Sequence, residues 1–126
     1  MLVSYTMLGT NDHAKALALY EPVIEILGGT KLAAYSSEKS TAFARDGNGI
    51  LSIGVPYDGN PATGGNGTMV ALAATDAAMV THAYTKAIEM GARDEGAPGD
   101  RGQGFFGAYF RDFDDNKICI FTLVSD

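Results

Sequence analysis

The chain is 126 residues long and 46% hydrophobic, enough to fill the core of one compact domain. Nine Lys and Arg stand against 15 Asp and Glu, a formal charge of -6, so no general phosphate-binding surface is available and neither nucleic acid nor a membrane is an expected partner. The single Cys119 excludes an intrachain disulfide framework and a thiolate zinc cluster, no run of 18 apolar residues spans a bilayer, and with no signal peptide in view a reducing cytoplasm is the expected compartment.

The largely apolar stretch Val3 to Gly9 reads as a strand, and Asn11 and Asp12 offer side-chain oxygens to cap the start of a helix. Over Asp12 to Leu27 the residues Ala16, Leu17, Tyr20, Ile24 and Leu27 recur at spacings of three or four, which gathers them on one buried stripe, with Lys15 and Glu25 toward water. Gly28 and Gly29 stop this helix, and Pro22 inside it predicts a kink or a break. Three short extended segments follow, Lys31 to Tyr35, Thr41 to Arg45 and Gly49 to Val55. The turn-rich stretch Pro56 to Gly67 then reads as a loop, in a chain whose 16 glycines, about 13% of residues against an ordinary value of roughly 7%, point to tight turns.

From Thr68 the pattern repeats. Thr68 to Ala73 reads as a strand, Thr75 and Asp76 as a cap, and Met79, Val80, Ala83, Ala87 and Ile88 as a helical stripe ending before Gly91. Strands are expected at Arg93 to Ala97, Gly104 to Arg111 and Lys117 to Leu123. The two capping aspartates lie 64 residues apart, an offset that sets Tyr5 opposite Met69. Near the module ends, Asp46 to Ile50 lies over Asp114 to Ile118 at an offset of 68, which pairs Leu51 with Cys119. The expectation is one α+β domain, 1–126, made of two tandem β-α-β-β-β modules, 1–60 and 64–126, whose sheets form a half-open mixed sheet around a concave pocket.

Specific segments carry a family resemblance. Leu8-Gly-Thr-Asn-Asp12, then Ala16 to Val23 and Leu27-Gly28, is similar to the opening strand, capping Asp and first helix of the vicinal oxygen chelate superfamily, the glyoxalase, bleomycin-resistance and extradiol dioxygenase fold. Pro61 to Thr68, Pro98 to Arg101 and Gly107-Ala-Tyr-Phe-Arg-Asp-Phe-Asp-Asp-Asn-Lys-Ile118 extend the likeness over nearly the whole chain. The last segment resembles the YFRDPDGNKIE hairpin of glyoxalase-like proteins, with Phe113 for Pro, Asp115 for Gly and Cys119 for Glu. Asp115 then has to accept a left-handed or adjusted backbone that Gly takes more cheaply.

The resemblance implies metal ligands on the first strand of each module and on the last strand of one or both. Carried onto this chain, those positions are Tyr5, Met69, Leu51 and Cys119, none of them His, Asp or Glu, so no metal and no other cofactor is expected. His13, on the apolar side of the first helix, reads as packing or capping, and His82 as solvent-facing.

The candidate ligand-binding residues are Tyr5, Arg45, Met69, Arg101, Phe106, Tyr109 and Cys119. Tyr5, Met69 and Cys119 are candidates because ligand positions in this fold face the concavity. Tyr5 offers a phenol for hydrogen bonding or simply packs, Met69 lines a pocket or fills the core, and Cys119 between two isoleucines reads as a structural thiol. Arg45 and Arg101 are the residues able to clamp a carboxylate or phosphate; surface charge is the plainer reading of Arg45, and a loop-fixing bridge to Asp100 or another acid that of Arg101. Arg111 is expected to hold Asp112 or Asp114. Phe106 and Tyr109 add aromatic area, divided between the faces of their strand by its two-residue period. The functional expectation is metal-independent binding of a small organic molecule in the concave cleft of a homodimer. A metal-independent lyase, isomerase or transferase is the alternative.

Overall fold

Asp12 adopts extended backbone and its carboxylate accepts the Lys15 amide at 3.1 Å, which starts helix α1 (His13–Ile26). Asp76 does the same through the Met79 amide at 2.8 Å, starting α2 (Ala77–Glu89). In the computed structural model, which describes residues 1–124, strand β1 (Tyr5–Gly9) precedes α1. Strands β2 (Thr30–Lys31), β3 (Ser40–Arg45) and β4 (Asn48–Gly54) follow it. The second round is β5 (Met69–Ala73), α2, β6 (Arg93–Asp100), β7 (Phe105–Arg111) and β8 (Lys117–Leu123). The end of the expected second module, residues 125–126, lies outside the described residues.

Each round makes a four-stranded mixed sheet, ordered β1-β4-β3-β2 and β5-β8-β7-β6, with the first strand parallel to the last and the other pairs antiparallel. This is the α+β arrangement of two βαβββ modules read from the repeat. The helices lie against each other, and one continuous core joins Leu19, Tyr20 and Val23 of α1 to Val80, Ala83 and Ala87 of α2. Strand residues Leu8, Leu51, Ile53, Phe110, Ile118 and Ile120 supply the rest from beneath. The sheets are separate ladders with β1 and β5 at their edges, so the modules join through helices and hairpin ends.

The hairpin ends repeat the symmetry. Asn116 of the β7–β8 turn donates to the Gly9 carbonyl at 2.9 Å, and Arg45 at the β3–β4 turn donates to the Ala73 carbonyl at 2.9 Å. Gly9 and Ala73 end the first strand of their respective modules, so each hairpin grips the first strand of the other module.

Several local expectations are corrected. The extended segment Lys31 to Tyr35 shortens to β2 followed by a 3₁₀ turn over Ala33–Tyr35, because the Ser36 hydroxyl takes the Ala42 amide and folds the chain off the sheet. Strand β6 runs three residues past Ala97, through Pro98; it is an edge strand with register shifts, where a missing amide costs no ladder bond. Helix α1 runs through Pro22 without breaking, and Ala18, whose carbonyl loses its partner, sits on the exposed side.

The offset pairing Leu51 with Cys119 also fails. Leu51 faces the helices with Phe43, as Ile118 does in the second module, while Cys119 faces the opposite side. The counterpart of Cys119 by face is Ser52. Two residues link β3 to β4 and five link β7 to β8, so an alignment anchored on turn residues slips by one, and one residue reverses a strand's faces.

Candidate functional site

Register places the chemistry of the second sheet. Tyr109 is the cross-strand partner of Cys119, Arg111 that of Lys117, and Ala71 on β5 lies on the other side of Cys119. With a two-residue period, Tyr109, Arg111, Lys117, Cys119 and Phe121 share the face turned away from the helices. The Arg101 guanidinium carbon lies 5.3 Å from the Tyr109 ring centroid and the Lys117 Nζ 5.5 Å from it, so two cations stand over one ring. Gly96 makes this approach possible: a Cβ there would meet Tyr109 Cδ2 at 3.0 Å and Arg101 Nη2 at 3.2 Å.

The other charges in this sheet are engaged. Arg111 Nε donates to Glu95 Oε1 at 2.6 Å and its Nη1 to the Asp115 carbonyl, in place of the bridge to Asp112 or Asp114 read from the sequence. The Arg111 hydrogen bond holds the Glu95 carboxyl below its ordinary range, and Lys117 and Arg93 add to the effect. Asp100 accepts the Gly102 amide, so the expected Asp100–Arg101 bridge is absent; one Arg101 nitrogen donates to the Ala97 carbonyl instead. Burial pushes both the Tyr109 phenol and the Cys119 thiol up, the thiol against the opposing pull of the neighbouring Tyr109 hydroxyl and the charges of Arg101 and Lys117. Cys119 is therefore a buried, neutral thiol at ordinary pH.

Of the seven candidates, Arg101, Tyr109 and Cys119 come together here. Tyr5 and Met69 lie on the two sheet edges, 68% and 45% exposed, with Met7 beside Tyr5. Two sit elsewhere. Arg45 is committed to the seam between the modules, where its Nη1 donates to both the Leu27 and Ala73 carbonyls at the mouth of an apolar recess. Phe106 is on the helix side of β7, packed against the core, because it is three positions from Tyr109 and so on the opposite face. Lys117 was missed, although its spacing of two from Cys119 puts both on one face.

His13 Nε2 lies 2.9 Å from Thr41 Oγ1, and His82 is exposed. The family's metal positions, corrected by face, are Tyr5, Met69, Ser52 and Cys119. Ser52 shares a hydrogen bond with the Ser40 hydroxyl at 3.1 Å. Among the described residues no three His, Cys, Asp or Glu side chains converge. A phenol, a thioether, a hydroxyl and one protonated thiol do not fit a divalent cation.

The model of the Glyoxalase/Bleomycin resistance protein/Dioxygenase superfamily matches residues 2–120. No curated protein matches the sequence. The structure is similar to that of a glyoxalase/bleomycin resistance protein from Albidiferax ferrireducens, with a TM-score of 0.87 and 28% identity over 97% of this chain and 98% of the other. A glyoxalase/bleomycin resistance protein/dioxygenase family enzyme from Burkholderia phytofirmans superposes with a TM-score of 0.77 at 17% identity, over 97% and 98% of the two chains. A glyoxalase-related enzyme from Fulvimarina pelagi gives 0.74 at 14%, over 97% and 88%. These last two likenesses speak to the fold alone. No helix among the described residues is long and apolar enough to cross a membrane.

Proposed function

Given that this chain belongs to the Glyoxalase/Bleomycin resistance protein/Dioxygenase superfamily, we propose that it is a metal-independent member that binds a small organic molecule against the concave face of its second sheet. The observation that carries this reading is the group of Tyr109, Cys119, Arg101 and Lys117 on a face turned away from the core. Such a face offers an apolar floor, an aromatic ring and polar groups at its rim, which is the composition of a small-molecule site. It offers no general base next to a nucleophile, and the raised thiol pKa argues against a thiolate. Binding is therefore preferred to turnover.

The cleft is completed by a second copy of the chain. Both first strands are sheet edges, and their exposed Tyr5, Met7 and Met69 form apolar borders that a partner's edge would cover. A homodimer joined there would close each concave face with residues from both protomers.

Native mass spectrometry with elemental analysis of the same sample tests the reading. A metal-free dimer that takes up small organic molecules at one or two per dimer, with affinity unchanged by a chelator, is the expected result. Stoichiometric metal whose removal abolishes binding would overturn it.

A further inference from the structure

The charges of the second sheet are unevenly matched. Arg93 pairs with Asp115 and Arg111 with Glu95. Arg101 and Lys117 make no ion pair among the described residues, although both stand over the Tyr109 ring. The acids in reach are already used: Glu95 by Arg111, Asp100 by the Gly102 amide, and Asp94 by the Tyr84 hydroxyl and the Gly96 amide. In a chain of formal charge -6, two cations without an ion-pair partner over one ring run against the prevailing charge.

We infer that this pair is an anion subsite, and that the molecule held on the concave face is a small organic acid whose carboxylate meets Arg101 and Lys117 while its apolar body lies along Ala71 and Phe121. The inference rests on the binding role proposed above and narrows it to a ligand class. Arg101 spends one guanidinium nitrogen on the Ala97 carbonyl, which anchors the group and leaves its other donors to the ligand. A planar fork of donors suits the two oxygens of a carboxylate, and the lysine adds a point charge from the neighbouring strand. The floor is set by the sheet register: Ala71 and Tyr109 flank Cys119, and Phe121 follows on the same face, stacked on Phe105 at 5.0 Å. These side chains carry no charge, so they favour an aryl or short acyl body over a second ionised group.

The test uses matched probes that differ only in charge, benzoate against benzamide and butyrate against butyramide, titrated into the wild-type protein by ligand-observed NMR. Each acid is expected to bind about tenfold or more tightly than its amide, the difference one charge-assisted contact makes. Arg101→Gln and Lys117→Gln should each remove most of that preference while leaving the circular dichroism spectrum unchanged. Arg101→Lys should restore part of it. Equal binding of acid and amide, or a preference unmoved by both Gln variants, would overturn the anion subsite and leave small-molecule binding on this face intact. Displacement of benzoate by an equal concentration of inorganic phosphate would also count against it, since the pair would then read charge and not carboxylate. Failure of all four probes to bind the folded dimer would sink the binding role together with the inference.

Discussion

The Tyr20 hydroxyl donates to Asp112 Oδ2 at 2.5 Å, joining the middle of α1 to the β7–β8 turn across 92 positions of sequence. Both residues are buried, and Asp112 also accepts the Asp114 and Asn116 amides and the Asn116 side chain. The carboxylate thus organises the second hairpin from inside while the tyrosine ties that hairpin to the first module. Burial, then the Asp112 charge, push the Tyr20 phenol well above its ordinary value.

Tyr20→Phe should therefore destabilise the fold by about 1.5–3 kcal/mol at neutral pH, the range for a hydrogen bond to a charged group. The pH dependence has a definite sign. Above about pH 10 the unfolded chain releases this proton and the folded chain keeps it, so the contribution is full below pH 10 and falls as pH rises beyond it. Urea unfolding at pH 7, 9.5 and 10.5 checks this: the alkaline loss should be smaller in Tyr20→Phe, and parallel losses in both proteins would contradict it.

Arg45 ties the modules from the other side, through the Leu27 and Ala73 carbonyls. Its side chain is largely exposed, so its two contacts are worth less than buried ones, and Arg45→Gln should cost about 1 kcal/mol. Because the contact is at the seam and away from Tyr109, the affinity for a bound acid should not change. A loss of ligand affinity equal to that of Arg101→Gln, with stability unaltered, would place Arg45 in the site instead.

Much of this molecule was readable from the sequence where the signal is local. The caps at Asp12 and Asp76 set both helix starts, and the apolar run from Lys117 to Leu123 is β8 to the residue. Asp115 has φ +65°, the left-handed backbone expected where relatives carry Gly. Features that depend on distant partners were not readable. Nothing near Arg45 announces Ala73, and nothing near Arg111 announces Glu95. The face of Cys119 was misaligned against Leu51 because two hairpins of unequal length were matched by their turns. Lys117 lies two positions from Cys119, so the two-residue period puts both on one face, but a lysine at a strand start reads as surface until its ring partner is known.

The loop between the modules docks on the second hairpin at Gly64. A Cβ there would run into the Asp115 main chain, and backbone cannot move aside as a flexible side-chain end can. Gly64→Ala should cost about 1–3 kcal/mol, the usual range for overpacking, or should lift the loop off the hairpin and expose it to protease. Limited proteolysis alongside urea unfolding separates these two routes. Wild-type behaviour in both would mean the loop does not rest there in solution.

Binding without turnover needs an inert thiol at Cys119. It is buried beneath Tyr109, and burial raises its pKa above the ordinary thiol value. At pH 7–8 the folded protein should therefore hold less thiolate than a free cysteine, and that small fraction is also shielded from reagent. An aromatic disulfide reagent should modify the native protein about a hundredfold more slowly than the urea-unfolded chain, with a rate set by opening of the sheet and so tracking stability. Benzoate, by holding the face closed, should slow it further. A native thiol that reacts as fast as the unfolded one, with an apparent pKa below that of free cysteine, would make Cys119 a nucleophile and move the protein from binding to catalysis.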